Sequence, residues 1–114
     1  MSGQAIYVMQ VPSGYVKIGI AKDAPLRLSV LQTGNPEPIR LVAWFDLPGF
    51  NSYEIEREMH SWLRLFHVRG EWFRVPLDLV FRAQKVACYK IGAPKVFARW
   101  QRMRAKKRAE RRVP

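Results

Sequence analysis

The stretch that decides the fold is IYVMQVPSGYVKIGIAKD, Ile6 to Asp23. Two runs rich in β-branched and aromatic residues, 5–11 and 15–21, flank the turn signal Pro12-Ser13-Gly14, which predicts a β-hairpin. Side chains alternate across a strand. In the second run Val16, Ile18 and Ile20 therefore form an apolar face, and Tyr15, Lys17 and Gly19 form the other. In the first run Ala5, Tyr7 and Met9 share a side, which can bring the Tyr7 phenol near the Lys17 ammonium. Register decides whether it does, and sequence does not fix register.

Outward from the hairpin, Asp23 is an N-cap candidate with Pro25 in the first turn of a helix that runs to about Thr33. Leu26, Val30 and Leu31 are expected to face inward, with Arg27 on the flank. The nearly continuous apolar run at 39–47 reads as a central strand covered on both faces. Asn51 with Glu54 three residues later opens a helix over 51–66. Its expected apolar stripe is Ile55, Met59, Trp62, Leu63 and Phe66, with Glu56, His60 and His67 along one edge. EWFRV at 71–75 reads as a short strand, followed by helices at about 78–91 and from Lys95 onward. The order β-β-α-β-α-β-α, with a basic helix appended, specifies an α+β fold: a small, mainly antiparallel sheet flanked by helices.

The chain has 114 residues and a formal net charge of +11, and the charge is not evenly spread. Residues 1–81 carry eight Lys/Arg against eight Asp/Glu, whereas residues 82–114 carry twelve against one. The expected organisation is a neutral domain, 1–81, and a basic helical extension, 82–114. An extension of this density suits a polyanion, with Lys95, Arg99, Arg102, Arg104, Lys106, Lys107 and Arg108 as the nucleic-acid-binding candidates. A membrane surface is the less favoured partner. The single cysteine, Cys88, can form no internal disulfide and is expected to be a small buried apolar residue. With no signal-peptide pattern and no long apolar run, a cytoplasmic location is expected.

Hydrolysis of a phosphodiester needs a group to take a proton from water, a cation to hold the phosphate oxygens and a carboxylate for a hard metal ion. Tyr7, Lys17 or Arg27, and Glu56 are one of each kind. A lysine beside Tyr7 is expected to lower the phenol pKa.

AIY at 5–7, KIG at 17–19, the arginine of APLRLSVLQTGNP, EIEREMH in the second helix and RGEWFRV at 69–75 occur in this order. In these motifs the chain resembles the GIY-YIG nuclease superfamily, most closely a small branch of phages, bacteria and fungi whose second motif reads KIG. The resemblance covers about residues 5–81 and departs from the motif at Ala5, where glycine is usual. It implies a metal-dependent endonuclease acting on DNA with one Mg²⁺ or Mn²⁺. Tyr7 would accept the water proton, Lys17 would orient the nucleophile or tune Tyr7, Arg27 would stabilise phosphate charge, and Glu56 would hold the metal. Glu54 competes for that last role. His60, which completes an E-x-x-x-H pattern with Glu56, would be a further catalytic residue, and Gly19 and Glu71 are supporting positions. The alternative from another class is a non-catalytic nucleic-acid-binding module of the same fold.

Overall fold

The computed structural model describes residues 4–46 and 49–92. The hairpin forms as the alternation demands. Strands β1 (Ala5–Gln10) and β2 (Tyr15–Ala21) pair antiparallel, with Tyr7 opposite Gly19 and Met9 opposite Lys17. Gly14 closes the turn at φ +97°, a left-handed conformation that glycine adopts without steric cost.

Helix α1 (Ala24–Gln32) starts where Asp23 accepts the Leu26 N–H at 3.0 Å, with Pro25 in the first turn. Its inward face differs from the expected one. Leu26 and Val30 are 61 % and 55 % exposed, whereas Ala24, Leu28 and Leu31 pack against Tyr7, Met9 and Val11. Leucine and valine occur all round this helix, so spacing alone selects no face.

Strand β3 (Arg40–Asp46) is covered on both faces but lies at the edge of the sheet, not at its centre. A bulge opposite Val8/Met9 explains its continuous apolar run. Val42 and Ala43 both turn to one side of the sheet, while Leu41 and Trp44 turn to the other. Helix α2 (Ser52–Trp62) is capped by Asn51, whose Oδ1 accepts the Tyr53 N–H at 2.9 Å and the Glu54 N–H at 3.4 Å. It stops four residues before the expected end, and a 3₁₀ turn, Arg64–Phe66, follows. Ile55, Met59 and Leu63 are fully buried. Trp62 and Phe66 are not: Trp62 flanks the stripe and the tighter turn swings Phe66 off it, leaving them 39 % and 36 % exposed.

A strand absent from the sequence reading comes next. β4 (His67–Arg69) pairs with β5 (Trp72–Arg74) around Gly70, so His67 belongs to a strand and not to the preceding helix. Helix α3 (Leu77–Lys90) continues across residue 81, and its Ala83, Gln84, Ala87 and Cys88 are buried in the core. Cys88 is a buried thiol that receives the Gln84 amide at 2.9 Å, and burial pushes its pKa up to about 12. The basic helix expected from Lys95 lies outside the described residues.

The five-stranded sheet runs β3-β1-β2-β5-β4 with every pairing antiparallel. Helices α2 and α3 cover one face around Ile6, Val8, Ile18 and Phe73, and α1 covers the other around Tyr7 and Met9. Lys90 and Glu58 pair at 3.0 Å across the two-helix layer. Among the described residues, no helix is long and apolar enough to cross a membrane.

Candidate functional site

The site forms where β5 begins. Its ladder with β2 closes at Lys17 opposite Trp72, and the Ile18 N–H then donates to the Glu71 carbonyl at 3.0 Å. Gly19–Ala21 pair with β1 on one side, and among the described residues no strand takes the other. Side chains from both layers can meet at this gap.

Glycine at position 19 keeps the gap open. A Cβ there would lie 2.5 Å from both Glu71 Oε1 and the Tyr7 hydroxyl, closer than packed atoms approach. Tyr7 donates to Glu71 Oε1 at 3.4 Å, and Lys17 Nζ lies 3.2 Å from the same oxygen. Glu71 is therefore the hub of the cluster, a larger part than the supporting one expected for it. Lys17 is 9 % exposed and also sits 5.5 Å from the centre of the Trp72 ring. The Trp72 contact was not read from the sequence, although G-E-W beside the K-I-G strand was the available signal.

Tyr7 is only 1 % exposed. Burial pushes its pKa up to about 12, with Glu71's negative charge adding and the Arg27 hydrogen bond and charge opposing. The expectation of a Lys17-lowered phenol is thereby corrected: the ammonium is spent on Glu71, and desolvation dominates at Tyr7. Arg27, an exposed residue of α1, lies near enough to the phenol for its positive charge to oppose the rise in pKa.

Glu56 approaches from α2, on the opposite layer. Its pKa is raised to about 7, first by burial and then by Glu71, against a lowering by Lys17, so all three charges share one neighbourhood. Glu56 Oε2 is buried and has no hydrogen-bond partner among the described residues. Glu54, the competitor, is exposed beside the Asn51 cap. His60, one turn after Glu56, meets the Ile18 carbonyl at 2.9 Å, so Nε2 carries the proton and donates. Burial lowers its pKa, and its ring stands edge-on to Phe73 at 4.8 Å. His60 thus ties α2 to the β2 backbone beside Gly19. His67 instead bonds the Gly70 carbonyl at 2.8 Å.

The fit to a metal ion rests on the orphaned Glu56 oxygen. An unpartnered carboxylate oxygen in a buried position is costly unless a cation or donor meets it. Among the described residues there is no group of three or more His, Cys, Asp or Glu arranged to hold a metal. The donor set therefore suits an ion that takes one carboxylate and completes its shell with water and phosphate oxygens, as Mg²⁺ does.

A family comparison covers this region. The T5orf172 domain model matches residues 4–88, spanning the whole described sheet and nearly all of α3. The chain belongs to the T5orf172 domain family. The T5orf172 domain is associated with nuclease-like, nucleic-acid-related modules. Comparison with curated proteins and with solved structures returned no match. The T5orf172 match takes in Tyr7, Lys17, Gly19, Arg27, Glu56, His60 and Glu71 alike. Lys95, Arg99, Arg102, Arg104, Lys106, Lys107 and Arg108 lie beyond both the match and the described residues.

Proposed function

We propose that this T5orf172 domain is a metal-dependent endonuclease that hydrolyses DNA phosphodiester bonds at a single-metal site of the GIY-YIG type. The observation that carries this reading is the convergence of Tyr7, Lys17, Arg27 and Glu71 at Gly19, with a buried, unpartnered Glu56 oxygen beside them.

Glu56 would hold Mg²⁺ or Mn²⁺, which supplies Lewis-acid stabilisation of the phosphate and its leaving oxygen. The remaining work falls to the chain. Arg27 can leave the phenol for a phosphate oxygen, because guanidinium–phosphate pairing is charge-assisted and the side chain is exposed. That movement uncovers Tyr7. As water attacks phosphorus, Tyr7 accepts the water proton and passes its own to Glu71 Oε1, so no free phenolate has to form despite the raised pKa. The P–O3′ bond breaks, its electron pair stays on the 3′ oxygen, and solvent protonates it. The ends are a 5′-phosphate and a 3′-hydroxyl, and Glu71 returns its proton to solvent. Lys17 holds Glu71 in place, and His60 fixes the backbone at Ile18. The basic residues from Lys95 onward anchor the DNA backbone without reading sequence.

Purified protein should nick plasmid DNA with Mg²⁺ or Mn²⁺ and not with chelator. Activity that survives Glu56→Gln or Arg27→Ala overturns the reading.

A second reading is a nucleic-acid-binding module that has kept the fold without the reaction. It is favoured by the enclosure of Tyr7, 1 % exposed and with its pKa raised to about 12. Salt-dependent DNA binding with no cleavage under either metal would select it.

A further inference from the structure

The β2–β5 ladder that ends at the site begins at a pocket. Beside Tyr15, at the other end of the ladder, lies an open cavity of about 250 Å³ lined by Val11, Tyr15, Asn35, Val68, Arg69 and Trp72. This is below the roughly 300–1,000 Å³ of pockets that enclose whole drug-sized molecules, and it suits a single ring system. Its chemistry is specific. Tyr15 and Trp72 are half-buried, each presenting part of an aromatic ring, and Val11 and Val68 supply aliphatic wall. Both rings carry a cation: Arg74 lies 5.1 Å from the Tyr15 ring centre and Lys17 lies 5.5 Å from that of Trp72. Arg69 stands at the rim. Glu37, the acidic residue of the lining, is engaged by Ser13, whose N–H and hydroxyl donate to its carboxylate at 3.0 and 2.8 Å.

We propose that this cavity is a subsite for one unpaired nucleobase of the strand whose phosphate lies at Gly19. Aromatic faces beside the exposed Arg69 and Arg74 suit a base with its attached phosphates, because stacking is indifferent to which base is present and the guanidiniums meet the backbone. Trp72 belongs to the pocket wall and also lies under Lys17, so pocket and site are continuous. From Tyr15 to Gly19 is four strand residues, about 13 Å. That distance is roughly two to four nucleotides, according to how far the strand is stretched. The subsite thus deepens the nuclease reading, on which it rests, by specifying a substrate with a looped-out, frayed or single-stranded nucleotide near the cleaved bond.

The test uses the full chain carrying Glu56→Gln, so that binding is measured without cleavage. A fluorescently labelled single-stranded DNA 12-mer is compared with a series in which one abasic residue is moved along it, each keeping the same backbone charge. One position should weaken binding about tenfold and the others little. Trp72→Leu should abolish that selective loss, so that intact and abasic strands bind alike. Independently of any pocket variant, 5-iododeoxyuridine at the sensitive position should photo-crosslink to the peptide holding Tyr15 or Trp72. A uniform response to the abasic scan, or crosslinks confined to other peptides, would overturn the subsite. Plasmid cleavage is scored separately: a selective abasic position without cleavage leaves the subsite standing and removes the nuclease, and cleavage without such a position does the reverse.

Discussion

Lys17 and Glu71, fifty-four positions apart in the chain, form an ion pair of 3.2 Å at the start of β5, and the Tyr7 hydroxyl shares the carboxylate. The lysine therefore acts on the phenol through Glu71. Glu71→Gln leaves a mostly buried ammonium without its counter-charge. It should cost about 1–2 kcal/mol in denaturant unfolding, less than a fully buried pair because Glu71 is partly exposed. It should also reduce cleavage at least 100-fold, since the proton has nowhere to go. Unchanged turnover would remove Glu71 from the mechanism.

Glu56 sets stability against function. In the metal-free protein its pKa is about 7 against an ordinary 4.5. A carboxyl raised on folding contributes stability that is complete below pH 4.5 and lost as pH climbs through 7. Glu56→Gln should therefore be more stable than wild type at pH 8 in chelator, by about 1 kcal/mol after allowance for solvent screening, and equal to it at pH 4. The same variant should be inactive. Thermal melts at the two pH values check the first half and plasmid nicking the second.

Added Mn²⁺ should raise the Tm of wild type at pH 8 and leave Glu56→Gln unmoved, because an ion that binds only the folded carboxylate stabilises by mass action. Equal shifts in both proteins would place the ion elsewhere.

Gly19→Ala tests the close approach. The new methyl meets the flexible end of Glu71 and the fixed, buried Tyr7 ring, so the carboxylate must turn away and the phenol must shift. The expected cost is about 1–2 kcal/mol of stability and the loss of nearly all activity. A variant that folds and cleaves normally would show that Tyr7 and Glu71 need not sit together.

Tyr7 gives an alkaline signature. Its pKa rises from 10.0 to about 12 on folding, so stability falls as pH climbs from 10 through 12. Tyr7→Phe should flatten that part of the stability–pH curve while removing cleavage. A curve of unchanged slope would mean the phenol is not enclosed as described.

Sequence made the hairpin legible because Val16, Ile18 and Ile20 alternate cleanly with Tyr15, Lys17 and Gly19, and because Asp23 and Asn51 announce their helices. The partnership of Lys17 was not legible. Alternation gives the face of a strand, but β5 comes from fifty residues downstream and its starting point decides which carboxylate the lysine meets. The phase of α1 was lost because its apolar residues surround it, and β3 looked central because both its faces are covered by apolar layers and its bulge turns the neighbours Val42 and Ala43 to the same side. β4 was missed because three residues are too few for a period to show. Of the candidate site, the residue types and their spacing were visible. The protonation of Tyr7 was not, since it depends on burial that only packing supplies.

The brevity of β4 has a consequence for self-association. All three of its residues are exposed, and it forms one border of the sheet. So short a border offers an incoming chain few free amides and carbonyls to copy, a device that guards sheets against runaway stacking. Lengthening β4 by design would remove that protection, and fibril formation rather than lost catalysis would then be the first failure to watch for.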